Sequence, residues 1–206
     1  MARPAGTTRA KKPIASSEFK TLLLALDKSS KNKATREKFK KAFTLLYLTG
    51  CRVSEIIDFT IEDLKETIKN NEYSLTNKSK TGVARLITFD SNFKQVQMLE
   101  HLLPTNIDTL KFKNRYLFYS NHTGKPMSVS SFTLQLNRFI HSVLGELYST
   151  HSFRQGYITI ARRLGTPIEI IQKDIAHRSV TTTMRYVDVT TEDIAHSKNS
   201  RLWEVA

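Results

Sequence analysis

Apolar residues recur every three or four positions over most of this chain, a spacing that is typical of amphipathic helices. In the segment 34–49, Phe39, Phe43 and Leu46 follow this spacing, and Gly50 comes directly after it. The pattern predicts a helix that ends at Gly50, because glycine readily adopts the left-handed conformation found at helix C-termini. Similar patterns predict a capped helix that begins at Ser16-Ser17 and helices over 52–59, 91–103, 128–147, 152–164, 167–175 and 179–188.

Two stretches have the composition of short strands instead. Residues 72–75 and 83–89 are rich in β-forming residues, and the polar turn TNKSKTG lies between them. They predict a β-hairpin with lysines at its tip, while 116–119 is a short strand or an extended piece. The expected fold class is therefore mainly α with a small antiparallel β-hairpin (α+β).

The charge of the chain is strongly positive. Lysine and arginine number 32 against 19 acidic residues, which gives a net charge of +13, and residues 1–41 contain 12 basic and 3 acidic residues. Such an uneven excess favours a polyanionic partner, because each neutralised phosphate releases counterions. We expect nucleic acid as the partner, although charge alone also fits a merely basic protein.

Composition also limits the cellular compartments in which we expect the protein. No run of 18 apolar residues predicts a membrane span, and the N-terminus lacks the apolar core of a secretory signal. We expect an intracellular protein in the cytoplasm or on the nucleoid, with an organellar transit peptide left open. The single cysteine, Cys51, excludes an internal disulfide framework and favours a small packed side chain.

The candidate chemistry lies mostly in the last third of the chain. His151, Arg154, His177 and Tyr186 follow one another there, and Arg52 comes earlier. Arginines can hold a phosphate, a histidine can move a proton and a tyrosine can attack, so this set can cut a phosphodiester without a metal or a cofactor.

Three motifs carry a resemblance to a known family. TGCRVSEI contains Arg52 and Glu55, HSFR contains His151 and Arg154, and IAHRSVTTTMRY ends on Tyr186, nine residues after its histidine. Together they resemble the catalytic domain of the tyrosine recombinases, the phage-integrase and Xer family. The resemblance covers roughly residues 16–190.

The resemblance implies a role for each candidate residue. Arg52 and Arg154 would clamp the scissile phosphate, and Tyr186 would be the nucleophile. His151 would carry a proton near the tyrosine, and His177 would hydrogen-bond a non-bridging oxygen. The product would be a 3′-phosphotyrosyl link that a free 5′-hydroxyl can resolve without ATP.

The general acid is a lysine on the hairpin in this family. Lys80 in SKTG is our choice, and Lys78 remains open. Glu55 lies three residues after Arg52, within one helical turn, and can orient it.

Three positions depart from the family pattern. Gln155 stands where a second histidine is common, Ala176 replaces a usual glycine, and Asp188 follows the tyrosine where histidine is frequent. These departures suggest a divergent branch of that family.

The expected organisation is a basic flexible arm (1–15), a catalytic domain (16–190) and a tail (191–206). The tail either docks on a neighbouring protomer or packs on its own domain. The short N-terminal part fits either an excised catalytic domain or a compact recombinase.

The expected partner is double-stranded DNA, bound by four copies of the chain on two sites and by a monomer when free in solution. We expect no metal, no cofactor and no membrane. A type IB topoisomerase, a non-catalytic DNA-binding protein of the same fold and a helix-turn-helix regulator are the alternatives.

Overall fold

A computed structural model describes residues 11–75, 85–89, 94–103, 116–120 and 123–177. Along these residues the chain forms α1 (Ser16–Lys28), α2 (Lys33–Thr49), α3 (Val53–Ile56), α4 (Ile61–Asn70), β1 (Glu72–Ser74), β2 (Leu86–Thr88), α5 (Lys94–Glu100), α6 (Val129–Leu144), α7 (Thr150–Arg163) and α8 (Ile168–Asp174). The fold is mainly helical with a small two-stranded antiparallel sheet, as the sequence predicts. Among these elements we find no helix with the length and apolar content that a membrane crossing needs.

Helix α2 occupies the centre of the core. Its Phe43 ring lies 5.5 Å from the ring of Phe153 on α7 and 6.1 Å from that of Phe139 on α6. Helices α1, α3, α5 and α7 all pack against α2. Because full burial of a phenylalanine side chain stabilises a protein by about 1.5–3 kcal/mol, these rings fix α2 and α7 side by side.

Local sequence signals mark both ends of α2. Asn32 caps the N-terminus by accepting a hydrogen bond from the Thr35 amide at 2.8 Å. Gly50 ends the helix with a φ of 60°, so the predicted end is confirmed. A β-carbon at Gly50 would meet the Tyr157 ring at 2.8 Å, so α7 approaches this turn closely.

The predicted hairpin strands are present. Strands β1 and β2 pair antiparallel, with Tyr73 opposite Ile87. One further bond, from the Leu75 amide to the Arg85 carbonyl at 2.7 Å, continues the ladder toward the turn. The turn itself, residues 76–84, lies outside the described residues.

The segment after Arg52 differs from the prediction. Instead of one helix over 52–59, the chain forms the single turn α3 and then α4, a helix missing from the prediction although its apolar residues have helical spacing. Thr60 and Asp63 cap α4 reciprocally, with bonds of 2.8 and 3.0 Å between the side chain of each and the amide of the other. This capping box and the helical spacing of the apolar residues are both local signals of the helix.

The other element predictions have mixed outcomes. Residues 116–119 form isolated bridges, Tyr116 to Thr60 and Tyr119 to Pro126, rather than a strand of the sheet. The helices predicted over 128–147, 152–164 and 167–175 are confirmed as α6, α7 and α8. The helix predicted over 179–188 and the tail lie outside the described residues.

Residues 11–15 are packed on the domain, whereas the sequence places them in a flexible arm. The Ile14 side chain is fully buried, and the Ile14 amide donates to the Ser152 carbonyl at 2.9 Å. The Lys12 amide donates to the Leu147 carbonyl at 2.8 Å. Gly156 makes this packing possible, because a β-carbon there would lie 1.9 Å from the Ile14 carbonyl oxygen.

We predict that Gly156→Ala lowers the free energy of unfolding by about 1–3 kcal/mol, because the added methyl group must push residues 11–15 off α7. Urea titration measures the loss. In a chain shortened to begin at Ser16 the clash is gone, and alanine is intrinsically better than glycine inside a helix by up to about 1 kcal/mol. The same substitution then stabilises the shortened chain, and a loss of similar size in both backgrounds would contradict the packing described above.

Candidate active site

The turn between α2 and α3 presents the first arginine. Arg52 is the N-cap residue of α3, and its amide donates to Glu55 Oε2 at 2.7 Å. Its guanidinium Nη1 donates to Glu55 Oε1 at 2.8 Å. The contact expected from the three-residue spacing is therefore present, and one carboxylate fixes both the backbone and the side chain of Arg52. The Arg52 side chain remains 28% exposed, so it can still meet a ligand.

Helix α7 presents the second arginine from the opposite side. Arg154 is almost fully buried, and it donates to the Gly50 carbonyl at 3.0 Å, to the Ile175 carbonyl, and to His177 Nε2 at 3.4 Å. A guanidinium has five N–H groups, so these three contacts within the described residues leave donors for a phosphate. Burial, followed by repulsion from Arg52 and Arg85, lowers the pKa of Arg154 to about 10, so the group is still charged at neutral pH.

A single buried carboxylate joins the two arginines. Glu55 is 2% exposed, and its Oε2 lies 3.9 Å from Arg154 Nη1 while its Oε1 binds Arg52. A buried carboxylate is costly unless it is paired, and here guanidinium groups surround it. Glu55 therefore sets the relative position of the two cations.

His177 occupies the turn that follows α8. Its amide donates to the Gln172 carbonyl at 3.0 Å, and its own carbonyl accepts from Gln172 Nε2 at 2.9 Å. The turn also places Ala176 at a φ of 50°, where a side chain costs about 1–2 kcal/mol. This conformation gives a physical reason for the glycine that the family usually has at this position.

Both histidines are held in the neutral form. Burial, followed by repulsion from Arg154 and Arg52, lowers the pKa of His177 to about 4. Partial desolvation, followed by repulsion from the same two arginines, also lowers the pKa of His151, an exposed residue in the first turn of α7. A neutral imidazole at neutral pH can accept a proton, which a histidinium cannot.

The structure brings together four of the six predicted site residues, namely Arg52, His151, Arg154 and His177. Lys80, its alternative Lys78, and Tyr186 lie outside the described residues, and their roles stay predictions. Gln155, which stands in place of a second histidine, has a buried side-chain oxygen without a hydrogen-bond partner among the described residues. The His, Cys, Asp and Glu side chains of those residues form no group of three or more able to hold a metal ion.

Sequence reasoning missed a third arginine at the site, which is buried like Arg154. Arg85 precedes β2, and its side chain is 1% exposed. Its Nη1 lies 3.2 Å from the Cys51 sulfur and 3.6 Å from Glu55 Oε2, and its Nη2 lies 3.7 Å from Asp174 Oδ1. Burial alone lowers the pKa of Arg85, but Cys51, Asp174 and Glu55 together raise it above its ordinary value.

A local signal could have identified this arginine. In a strand, residues two apart share a face, and Arg85 is two positions before the buried Ile87. A charged residue on the apolar face of a strand needs buried partners. Cys51 beside it is buried, as expected for a small packed side chain, and burial raises the pKa of its thiol.

Comparison with known proteins gives a consistent result. The model of the phage integrase family matches residues 12–193. The chain is 27% identical over 164 residues to tyrosine recombinase XerC of Treponema denticola, covering 74% of this chain and 52% of that protein. It is 29% identical over 151 residues to tyrosine recombinase XerD of Corynebacterium glutamicum, covering 73% and 48%. The chain thus spans about half the length of these curated relatives.

Solved structures agree at the level of the fold. The crystal structure of XerA recombinase superposes with a TM-score of 0.67 at 19% identity, over 93% of this chain and 66% of that one. The pre-cleavage complex of XerH site-specific recombinase with its difH substrate gives a TM-score of 0.68 at 19% identity, over 98% and 57%.

We predict a stability loss below pH 6.5 that depends on His177. Its folded pKa is about 4 against an ordinary value of 6.5. Between these values the unfolded chain binds a proton that the folded chain does not, so stability falls as the pH falls, by up to about 1.4 kcal/mol per pH unit. Urea midpoints at pH 7 and pH 5 measure the loss. His177→Gln should show a smaller drop than the wild-type protein, and equal drops would contradict the shifted pKa.

Proposed function

The chain belongs to the phage integrase family, and we propose that it is a site-specific recombinase that breaks and rejoins DNA strands through a 3′-phosphotyrosyl intermediate. The observation that carries the proposal is the pair of arginines, Arg52 and Arg154, held on the buried carboxylate of Glu55. His177 and His151 lie at the same site in neutral form. Two fixed cations with a proton acceptor beside them form a site built for a phosphodiester.

The arginines act on the phosphate. A phosphodiester carries one negative charge, and attack on phosphorus increases the charge on its non-bridging oxygens. Guanidinium groups can donate to those oxygens and do not lose their protons at neutral pH. Because Glu55 already fixes Arg52, little reorganisation is needed when the transition state forms.

The covalent step uses a tyrosine. We assign Tyr186 as the nucleophile: its oxygen bonds to phosphorus as the bond from phosphorus to the 5′-oxygen breaks. His151 accepts the phenol proton, and Lys80 donates a proton to the departing 5′-oxygen, with Lys78 as the alternative. The unperturbed phenol pKa is near 10, so a neutral histidine as proton acceptor lowers the barrier. A 5′-hydroxyl of a second strand then attacks the phosphotyrosine and releases the enzyme.

The partner is double-stranded DNA. The net charge of +13, concentrated in residues 1–41, supports this assignment, since basic residues add affinity through counterion release. We further propose that recombination requires four copies of the chain on two DNA sites, that the free protein is a monomer, and that it acts on the nucleoid. In this assembly residues 191–206 either dock on a neighbouring protomer or pack on their own domain.

Covalent trapping tests the proposal. The protein is incubated with a nicked duplex that carries the DNA flanking its own gene, and the mixture is then denatured. We expect a protein band shifted by covalently attached DNA, because the short cleaved fragment diffuses away and prevents rejoining. Tyr186→Phe should remove the band and leave binding in a gel-shift assay intact, since only the attacking oxygen is lost.

Two results would count against the proposal. A shifted band that persists in Tyr186→Phe contradicts the nucleophile, and Tyr148→Phe is the control that must keep the band. Tight binding without a covalent band on any duplex favours a binding-only protein. Relaxation of supercoiled DNA without strand exchange would instead favour a topoisomerase.

We predict that Lys80→Ala slows cleavage by about 10²–10⁴-fold, the usual contribution of a general acid. Replacing the 5′-bridging oxygen by sulfur supplies a leaving group that needs no proton, so this substrate should restore the rate of Lys80→Ala. Single-turnover rates on both substrates measure the effect. Lys78→Ala is the matched control, and rescue of that variant instead of Lys80→Ala would reverse the assignment.

A further inference from the structure

Arg85 is a buried cation that does not reach the surface of the site. Its side chain is 1% exposed, and each of its three guanidinium nitrogens faces a partner inside the protein: Nε and Nη2 donate to backbone carbonyls, and Nη1 lies against Cys51 and Glu55. Burying a charge costs free energy unless partners compensate it. The contacts of Arg85 therefore indicate a role inside the protein.

Those contacts join three segments that carry the site. Arg85 Nη2 donates to the carbonyl of Thr49, the last residue of α2 before the turn that carries Arg52. Its Nη1 lies 3.6 Å from Glu55 Oε2, and its Nε donates to the backbone carbonyl of Asp174. One guanidinium thus contacts the end of α2, the Glu55 carboxylate on α3 and the end of α8.

The end of α8 is fixed from a second side. The Asp174 carboxylate accepts a hydrogen bond from the Tyr157 hydroxyl, and its other oxygen lies 3.7 Å from Arg85 Nη2. His177 follows Asp174 by only three residues. The position of this histidine therefore depends on the same contacts.

The charges of the cluster give a reason for a third arginine. In the described part of the chain three guanidinium groups meet two carboxylates, those of Glu55 and Asp174. The excess of one positive charge matches the single negative charge of a phosphodiester. Without Arg85 the excess disappears, and the Glu55 carboxylate offsets a larger share of the charge that Arg52 and Arg154 present to a phosphate.

We propose that Arg85 is a positioning residue for strand cleavage, which holds Glu55 and keeps the charge of Arg52 and Arg154 available to the scissile phosphate. The inference rests on the proposed function, because it concerns the same arginine site. Arg85 acts through its neighbours and does not touch the DNA.

Substitution of Arg85 tests the inference. Arg85→Met removes the charge and keeps much of the volume, and Arg85→Gln is a second neutral variant in case the first does not fold. We expect the single-turnover rate of covalent attachment at saturating DNA to fall about 10²-fold, the effect of a small misplacement of catalytic groups. The Kd for DNA should change less than about threefold. Arg85→Lys, which keeps the charge but not the planar fork, should recover part of the rate.

A neutral substrate separates positioning from general damage. When a methyl group replaces one non-bridging oxygen of the scissile phosphate, the phosphate carries no charge and depends less on the two arginines. Loss of Arg85 should then slow the methylphosphonate far less than the phosphodiester. Leu26→Ala, which opens a cavity in the core on α1, is the control for lower stability and should slow both substrates alike. Arg162→Met removes an exposed charge from α7 and should keep the wild-type rate at saturation.

The outcomes are distinct. A wild-type rate in a folded neutral variant of Arg85 overturns the inference alone, and equal slowing of both substrates shows a merely structural role and also overturns it. Absence of covalent product from the wild-type protein overturns the proposed function and the inference with it.

Discussion

The Glu55 carboxylate, buried among three guanidinium groups, is the interaction on which the site depends. It binds Arg52 through backbone and side chain, and it lies within 4 Å of Arg85 and Arg154. None of these charges is stable in the interior alone, because an isolated buried ion loses its hydration without compensation. The cluster must therefore form as a unit, which fixes the positions of Arg52 and Arg154 before any ligand binds.

The fold brings this cluster together through one helix pair. The Phe43–Phe153 contact holds α2 against α7, and the turn at Gly50 then brings its carbonyl to Arg154. Tyr157, also on α7, donates a hydrogen bond to the Asp174 carboxylate and so holds the end of α8. The apolar core thus determines the distance between two arginines that are about a hundred positions apart in the chain. The core contact between α2 and α7 also sets the position of the site. A substitution that weakens this contact should therefore also slow the chemistry.

Motif spacing predicted four of the residues that meet at the site, because Arg52, His151, Arg154 and His177 each belong to a short local pattern. Local patterns do not report partners that are distant in sequence. Strand alternation could have placed Arg85 on a buried face, but its partners come from three other segments that no local pattern identifies. Residues 11–15 were assigned to an arm because their composition is basic, although Ile14 fits only beside the glycine of α7. Helix α4 was missed although both its apolar spacing and its capping box are local signals of a helix.

A crystal structure of the Tyr186→Phe protein bound to its DNA site would show whether Arg52 and Arg154 are prearranged for one phosphate. We expect the guanidinium groups of Arg52 and Arg154 both to lie within about 3 Å of non-bridging oxygens of one phosphate. Glu55 should still lie between them, in the contacts described here. A scissile phosphate held by other residues, or arginines that turn away from Glu55 to reach it, would contradict a prearranged site.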